Sequence, residues 1–521
     1  MKTKKAIERV QSFQFYLILE GALVGVLAGF LVSLFRFVLE YVDDFRAAVI
    51  AYGGEGPAGL LCALGLLALC YGVCCVCITW APDCAGSGIP HLKGELRGML
   101  SVDWAKTIVA KIAGCVCAIG AGLSLGRAGP SIQIGALTGK GFARCLKRAN
   151  TEEKLLLSAG AGAGLAGAFS APLAGVMFTL EEVHRNFSMD VLLPAMAASI
   201  TADFVSSRIF GLAPIFGLVE TPALPLAYHL LILPLALLLG AFGVCYNRLT
   251  ARFQDLYGRI PNNYLRLAIP FVLVIPLAVW YPQVLGGGRK LVELTAGGNY
   301  LLGALAVLLL IKLVFFLISS TSGAPGGTFL PLLVLGAVAG GLYLTACDTF
   351  FGIGGEYLAN FVIYGMVGLF AAVVRAPITG VILITEMSGS FSNFLALNVV
   401  ALVAYMTADL MGGRPLYDQL LDRLVGVAGP TMEQKEAHKQ ILTEHEVHLG
   451  SPIDGKTLEE LALPGGSLVV SIQRGPKRVV PGGATVIRSG DVLTVICRQE
   501  DLDATKSRLE EMCQKVAPPV K

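Results

Sequence analysis

Long apolar stretches recur along most of the chain and are separated by short polar segments. Eight of them approach or exceed the length of a membrane span: residues 16–39, 57–80, 191–210, 224–246, 264–281, 300–320, 358–385 and 392–411. About 20 apolar residues cross the hydrocarbon core as a helix. The first stretch is too long for a signal peptide, and no small-residue cleavage site follows it. The pattern therefore predicts an all-α polytopic membrane protein.

The pattern changes after Leu424. Residues 431–446 are polar, which indicates a linker or a short helix. Beyond them, "SLVVSIQRG" and "DVLTVIC" alternate like strands, and "GKTLEELAL" and "QEDLDATKSRLEEM" have the spacing of amphipathic helices. We therefore expect a transmembrane domain over 1–426, a linker over 427–446 and a small cytoplasmic α+β domain over 447–517.

Composition narrows the possible functions. The chain has 521 residues, of which 55% are hydrophobic and 15% charged, and a net charge of +3 that gives no reason to expect nucleic acid as a partner. Most of the thirteen cysteines lie in apolar stretches, which favours small buried residues over a metal site. The Gly162–Gly167 segment fits GxGxxG, but it lacks a preceding strand, so helix packing is favoured over a nucleotide-binding enzyme. We expect no metal, no organic cofactor and no catalytic residues.

Two pairs of segments repeat within the membrane region. "APLAG" at 171–175 returns as "APITG" at 376–380, and the Gly126-to-Pro130 spacing returns as Gly327 to Pro331. The offsets, 205 and 201 residues, are nearly the same. The membrane region is therefore expected to consist of two homologous halves, and such repeats are usually inverted across the bilayer.

Three short breaks place a proline just after glycine within apolar surroundings: 86–90 (GSGIP), 126–130 (GRAGP) and 326–331 (GGTFLP). Proline is favoured in the first turn of a helix, so each break predicts a helix that begins inside the membrane. The alternative is a proline kink in a continuous helix. Helix starts attract anions through unpaired N–H groups and the helix dipole, and none of the breaks contains a carboxylate. The pattern thus favours an anion pathway.

Two basic residues near the breaks have two interpretations each. Arg127 and Lys111 lie sixteen residues apart in an apolar stretch. Either they raise the electrostatic potential for anions, or they pair with carboxylates elsewhere in the chain.

With these motifs and "GGRPLY" at 412–417, the chain from about 15 to 424 resembles the CLC family of chloride channels and proton/chloride exchangers. The resemblance implies a homodimer of tilted, broken helices in the lipid bilayer, with one pore per subunit and both termini cytoplasmic. It implies that chloride is bound by the hydroxyls of Ser87 and Tyr417 and the backbone amides of Thr328 and Phe329. Because Ser87 is kept, chloride is favoured over fluoride. The supporting motif residues are Gly86, Gly88, Pro90, Gly126, Arg127, Gly129, Pro130, Gly327 and Pro331.

Ala128 departs from the family pattern, which has a gating glutamate at this position. Alanine cannot carry a proton or compete with chloride, so the resemblance implies chloride movement largely uncoupled from protons. Glu182 matches the family's inner proton-transfer glutamate; the alternative is a solvated helix end. The chain then looks like an exchanger that has lost its gate, naturally or by engineering, with a natural passive chloride channel as the alternative. Glutamate at 128 should restore coupling if Glu182 is competent.

The soluble tail resembles an RCK_C (TrkA-C type) regulatory domain through residues 451–464 and 487–496. Such modules usually dimerise and can bind a small regulatory ligand, whose identity is unknown here. Eukaryotic CLC proteins carry a different tail, so we expect a bacterial plasma-membrane protein. The tail also raises the alternative of an RCK-regulated cation channel, but the chain contains no filter sequence like "TVGYG".

Overall fold

Helices account for nearly all of the regular structure in the first 426 residues. A computed structural model of the chain describes residues 2–212, 216, 222, 224–352, 355–426, 440–461, 463, 467–475, 477–498 and 501–514. The chain divides into two units, Met1–Gly426 and Val427–Lys521. Each unit is described separately below.

The described part of the first unit contains seventeen α-helices. In chain order, α1 to α17 are Lys2–Gly53, Pro57–Trp80, Ile89–Leu96, Trp104–Gly120, Ala128–Cys145, Asn150–Phe169, Pro172–Phe178, Met189–Phe210, Ile232–Gly258, Asn263–Trp280, Arg289–Ala296, Leu302–Thr321, Phe329–Phe351, Leu358–Val374, Pro377–Ser388, Phe394–Leu410 and Leu416–Leu424. A π-helical turn, Thr179–His184, directly follows α7. The unit is therefore all-α, as predicted.

Within the described residues, eight helical segments are long and apolar enough to cross a membrane. They are Phe15–Gly53, Pro57–Trp80, Met189–Phe210, Tyr228–Gly258, Asn263–Trp280, Leu302–Thr321, Phe329–Phe351 and Gly355–Val374. Seven of them overlap predicted stretches. The prediction of a multi-pass helical membrane protein is confirmed.

Two details of the predicted spans are wrong. The run expected over 358–385 is broken at Arg375, which has a left-handed backbone, and so forms α14 and the shorter α15. The span Phe329–Phe351 was not among the predicted stretches and was expected only as a helix that begins at the third break, although its mean hydropathy, 1.9, exceeds that of Met189–Phe210 and Asn263–Trp280.

Glycines allow two helix pairs to approach very closely. A Cβ atom placed on Gly135 of α5 would lie 2.2 Å from the carbonyl oxygen of Gly160 in α6. The same contact recurs in the second half, where a Cβ atom on Gly336 would lie 2.3 Å from the carbonyl oxygen of Gly365. The GxGxxG segment lies inside buried α6, so it packs helices, as favoured over the nucleotide-binding alternative.

The two halves are related by reciprocal contacts. Gly126 and Gly327 form an antiparallel bridge, in which each N–H donates to the other's carbonyl at 2.7 Å. Glu181 accepts from the N–H groups of Ile378 and Thr379 at the start of α15. In return, Glu386 accepts from the N–H groups of Leu173 and Ala174 at the start of α7. Such reciprocity is typical of a twofold axis, and it confirms the two related halves.

The second unit is a small α+β fold. Its strands are β1 (Gln440–Glu446), β2 (Leu468–Arg474), β3 (Lys477–Val479) and β4 (Asp491–Arg498), and α18 spans Leu502–Gln514. The sheet is antiparallel in the order β1-β4-β2-β3. The strands expected at "SLVVSIQRG" and "DVLTVIC" and the last helix are therefore confirmed.

Two expectations about this unit need correction. The linker expected over 427–446 is wrong for its last seven residues, because Gln440–Glu446 is the edge strand β1, paired along its length with β4. Residues 427–439 lie outside the described residues. The helix expected at "GKTLEELAL" is only a 3₁₀ turn, Leu458–Glu460. The turn ends at Leu461, whose backbone is extended with φ −80° and ψ 114°, three residues before Pro464.

Candidate anion-binding site

All three sequence breaks are the starts of helices. After them, α3 begins at Ile89, α5 at Ala128 and α13 at Phe329, each with a proline in its first turn. The prediction of interrupted helices is thus confirmed, and the alternative of kinked continuous helices is wrong. The first backbone bond of α5 runs from Ser131 to Arg127, and that of α13 from Leu332 to Thr328. The earlier amides therefore lack partners within their helices and can face an anion.

The helix starts interlock through glycine. Gly326 donates its N–H to the carbonyl of Gly86 at 3.1 Å, which joins the first break to the third, and the Gly126–Gly327 bridge joins the second to the third. A Cβ atom on Gly129 would lie 2.6 Å from the carbonyl oxygen of Ser87 and 3.0 Å from the Cα atom of Gly327. Only glycine permits this approach, so the motif spacing brings three helix starts to one place.

Three buried hydroxyls at this place have no hydrogen-bond partner within the described part of the chain. They belong to Ser87, Thr328 and Tyr417, whose exposures are 6%, 6% and 0%. Tyr417 lies in the first turn of α17, which packs against α3, and its hydroxyl lies close to the Thr328 side chain. Buried hydroxyls are costly when they remain unpaired. An anion among them would accept hydrogen bonds from all three.

The side chains around these hydroxyls are apolar. Phe329 is fully buried and packs against the rings of Phe169, Phe178 and Phe370, with centroids 4.7–6.5 Å apart. Ala128 is also fully buried, at the first position of α5. A site with hydrogen-bond donors, apolar walls and no full charge can bind an anion weakly enough to release it.

The two basic residues singled out from the sequence are paired in different ways. Arg127 lies 3.3 Å from the Glu40 carboxylate, so the carboxylate-pairing interpretation applies to it. Lys111 instead donates to the backbone carbonyls of Cys84 and Gly86, at 2.9 and 2.7 Å, and so fixes the loop that carries Ser87. For Lys111 the carboxylate-pairing interpretation is wrong.

Glu182 lies in a buried charge cluster. It is 1% exposed, in the π-helical turn Thr179–His184, so the alternative of a solvated helix end is wrong. Its Oε1 atom is 2.6 Å from the Nζ atom of Lys93, and Lys93 lies 2.9 Å from Asp418. Asp418 also contacts Arg97 at 3.3 Å and Arg185 at 2.8 Å. We call these five residues the Glu182 cluster. It joins α3, which begins two residues after Ser87, to α17, which carries Tyr417.

A family model described as the voltage-gated chloride channel matches residues 64–409. The chain belongs to the CLC family of chloride transport proteins. Like the rest of that family it is a transporter and not an enzyme, and the cation-channel alternative no longer applies. A second model, the TrkA-C domain, matches residues 442–510, which confirms the resemblance of the tail.

Bacterial relatives and solved structures agree with this membership. The chain is 34% identical over 447 residues to the H⁺/Cl⁻ exchange transporter ClcA of Vibrio parahaemolyticus, which covers 84% of this chain and 94% of the relative. The ClcA of Cronobacter sakazakii is 32% identical over 441 residues, covering 81% and 91%. A slow cyanobacterial Cl⁻/H⁺ antiporter superposes with a TM-score of 0.74 at 28% identity, covering 79% of this chain and 98% of that one. A CLC-type fluoride/proton antiporter at 23% identity shares the fold, with a TM-score of 0.65, covering 77% of this chain and 97% of that one.

The structure adds residues that the sequence did not identify. Lys93 and Asp418 surround Glu182, and Glu181 and Glu386 bind the starts of helices in the opposite half. Glu181 and Glu386 adjoin apolar stretches, which was the available signal, whereas Lys93 and Asp418 lie in polar segments that gave none. Their partners lie far away along the chain, so only the fold could identify them.

Proposed function

We propose that this CLC protein conducts chloride between the three helix starts, with little linked movement of protons. The observation that carries the proposal is the set of unpaired buried hydroxyls of Ser87, Thr328 and Tyr417 beside Ala128. A halide there would accept hydrogen bonds from the hydroxyls and from the backbone amides of Thr328 and Phe329. Partial charges admit an anion and then release it, whereas an ammonium group at the site would retain it.

Ala128 is the basis for the uncoupled mechanism. A carboxylate at the first position of α5 could occupy the anion site when charged and leave it when protonated, and so exchange protons for chloride. A methyl group has no proton to exchange and no charge to compete with chloride. The relatives named as H⁺/Cl⁻ exchangers favour exchange as the second candidate function.

The setting of this function is part of the same proposal. We place the protein in the bacterial plasma membrane as a homodimer, with both termini in the cytoplasm. Basic segments at the amino end and at 139–148 support this orientation through the positive-inside tendency. The TrkA-C domain is proposed to bind a small regulatory ligand.

Flux through purified protein in liposomes separates the two candidate functions. A fixed chloride gradient should set the reversal potential, and an added pH gradient should leave that potential unchanged. Replacing chloride with an impermeant anion should abolish the current, whereas exchanging potassium for sodium should have no effect. A reversal potential that follows the pH gradient would show exchange and contradict the uncoupled mechanism.

A further inference from the structure

Glu40 is a carboxylate that bridges two arginines beside the second helix start. Its Oε1 atom lies 3.0 Å from the Nε atom of Arg36, one turn away on α1, and 3.3 Å from the Nη1 atom of Arg127. Arg127 directly precedes Ala128, the first residue of α5. The charge of Glu40 therefore acts at the start of α5, although 87 positions of sequence separate it from Arg127.

The Arg127 side chain lies close to the candidate anion site. Its guanidinium carbon is 5.8 Å from the ring centroid of Phe169, and that ring is 6.0 Å from the ring of Phe329, whose backbone amide is assigned to the anion. The Nε atom of Arg127 is buried and has no hydrogen-bond partner within the described part of the chain. Arg127 thus places a positive charge and an unused donor beside the pathway.

The internal repeat shows on which side of the helix starts this charge lies. Lys312 holds the loop before α11 just as Lys111 holds the loop before α3, so the starts of α11 and α3 are counterparts. Arg289 is the first residue of α11, and it interacts electrostatically with both arginines that Glu40 contacts. The arginines therefore lie on the α11 side of the anion site, and Ser87 lies on the α3 side.

Cations outnumber carboxylates among these side chains. Three arginines share two acids, since Arg289 pairs with Glu293 at 2.9 Å and Glu40 serves the other two. The five charges sum to +1, and a neutral side chain at position 40 would raise the sum to +2. A cluster of positive charge beside apolar walls attracts anions. We call Arg36, Glu40, Arg127, Arg289 and Glu293 the Arg127 cluster.

We propose that Glu40 sets the chloride affinity of the pathway on its α11 side, because it neutralises an arginine that would otherwise attract the anion. The inference rests on the proposed function, in which chloride passes the start of α5. The carboxylate competes with chloride for the Arg127 guanidinium group. The Glu40 side chain is 41% exposed, so anions from solution reach that group when the carboxylate is removed.

Isothermal titration with chloride compares the unaltered protein with Glu40→Gln, which keeps the shape of the side chain and removes its charge. Glu40→Gln should bind chloride more tightly by about two- to fivefold, the range that a partly exposed ion pair supports. Glu40→Asp keeps a negative charge at the arginines and should retain most of the original affinity.

The double variant Glu40→Gln with Arg127→Gln separates an electrostatic role from a structural one. It should show no gain over Arg127→Gln alone, because no guanidinium group remains to be released at that position. Should the double variant not yield folded protein, ionic strength supplies the same comparison. The gain in Glu40→Gln should shrink as an impermeant salt such as potassium gluconate is added, since salt screens exposed charges.

Asp409→Asn serves as the matched control. Asp409 lies 3.4 Å from Arg375, whose side chain is 6% exposed. Like Arg127, Arg375 lies near an aromatic ring, that of Tyr405, and its buried Nε atom has no partner among the residues that the structure describes. Arg375 follows α14 and so belongs to none of the three helix starts. Asp409→Asn should leave chloride affinity unchanged.

The proposal is overturned by three outcomes. These are unchanged or weaker chloride binding in Glu40→Gln, a gain that persists without Arg127 or at high ionic strength, and an equal gain from Asp409→Asn. None of them touches the proposed function, which is tested by the reversal potential of the unaltered chain.

Discussion

Tyr417→Phe removes one hydroxyl from the candidate anion site and leaves the ring in place. Tyr417 is fully buried in the first turn of α17, and its hydroxyl has no hydrogen-bond partner among the described residues. The substitution therefore breaks no bond within the protein. If the hydroxyl serves chloride, the loss should appear in chloride binding, and protein stability in chloride-free buffer should change little.

The size of the effect follows from the charge of the ligand. A hydrogen bond to an ionised group contributes about 1.5–3 kcal/mol. Because about 1.4 kcal/mol corresponds to a tenfold change in affinity, Tyr417→Phe should weaken chloride binding by about 10- to 150-fold. Ser87→Ala, which removes a second unpaired hydroxyl, should weaken binding by a similar factor.

Isothermal titration of the purified protein with chloride measures both effects. Tyr364→Phe is the matched control, because the Tyr364 hydroxyl is equally buried but already donates to Asn393 at 2.6 Å. That variant should lose about 0.5–1.5 kcal/mol of stability and keep its chloride affinity. Equal chloride affinity in Tyr417→Phe and the unaltered protein would refute the assignment of this hydroxyl to the anion.

Two further predictions concern stability. Gly135→Ala should destabilise the protein by about 1–3 kcal/mol, since its Cβ atom would lie 2.2 Å from the Gly160 carbonyl oxygen; thermal melting against Gly72→Ala, which has open space, checks this. Burial alone would raise the pKa of Asp491, but hydrogen bonds from Arg474 and the Arg488 N–H lower it below its ordinary value. Ionised Asp491 therefore stabilises the second unit above the unfolded-state pKa, and this contribution disappears as the pH falls through the lowered value. Protection factors of the β2 and β4 amides, which remove the intrinsic pH dependence of hydrogen exchange, should fall in acid, and an unchanged pH profile in Asp491→Asn would contradict this role.

The sequence predicted the helix starts because glycine and proline act locally. Gly88 takes a left-handed backbone directly before α3, and Pro90 occupies a first-turn position where no N–H is needed. The positions of Ser87 and Tyr417 at the site came from the family resemblance. No local rule relates Tyr417 to Ser87, since 329 residues of sequence separate them.

Two failures have different physical causes. Gln440–Glu446 looked like a polar linker because an edge strand needs few apolar residues, and backbone pairing with β4 determines its structure. The pattern of side chains does not report that pairing. The expected helix after Thr457 is short because the backbone is already extended at Leu461, three residues before Pro464, which cannot continue a helix. This second signal was present in the sequence.

The internal repeat separates the residues that build the fold from those that we assign to transport. Where both halves keep the same residue, it makes the same contact: Lys111 and Lys312 each bind two backbone carbonyls, and Glu181 and Glu386 each bind the start of a helix in the other half. At the corresponding spacings, the proposed transport residues differ between the halves. The pairs are Ser87 and Gly287, Lys93 and Glu293, Ala128 and Phe329, and Glu182 and Met387. If the two halves were identical, an ion would meet the same residues from either side of the membrane. The differences between its halves place Ser87, Ala128 and the buried Lys93–Glu182 pair in the first half only.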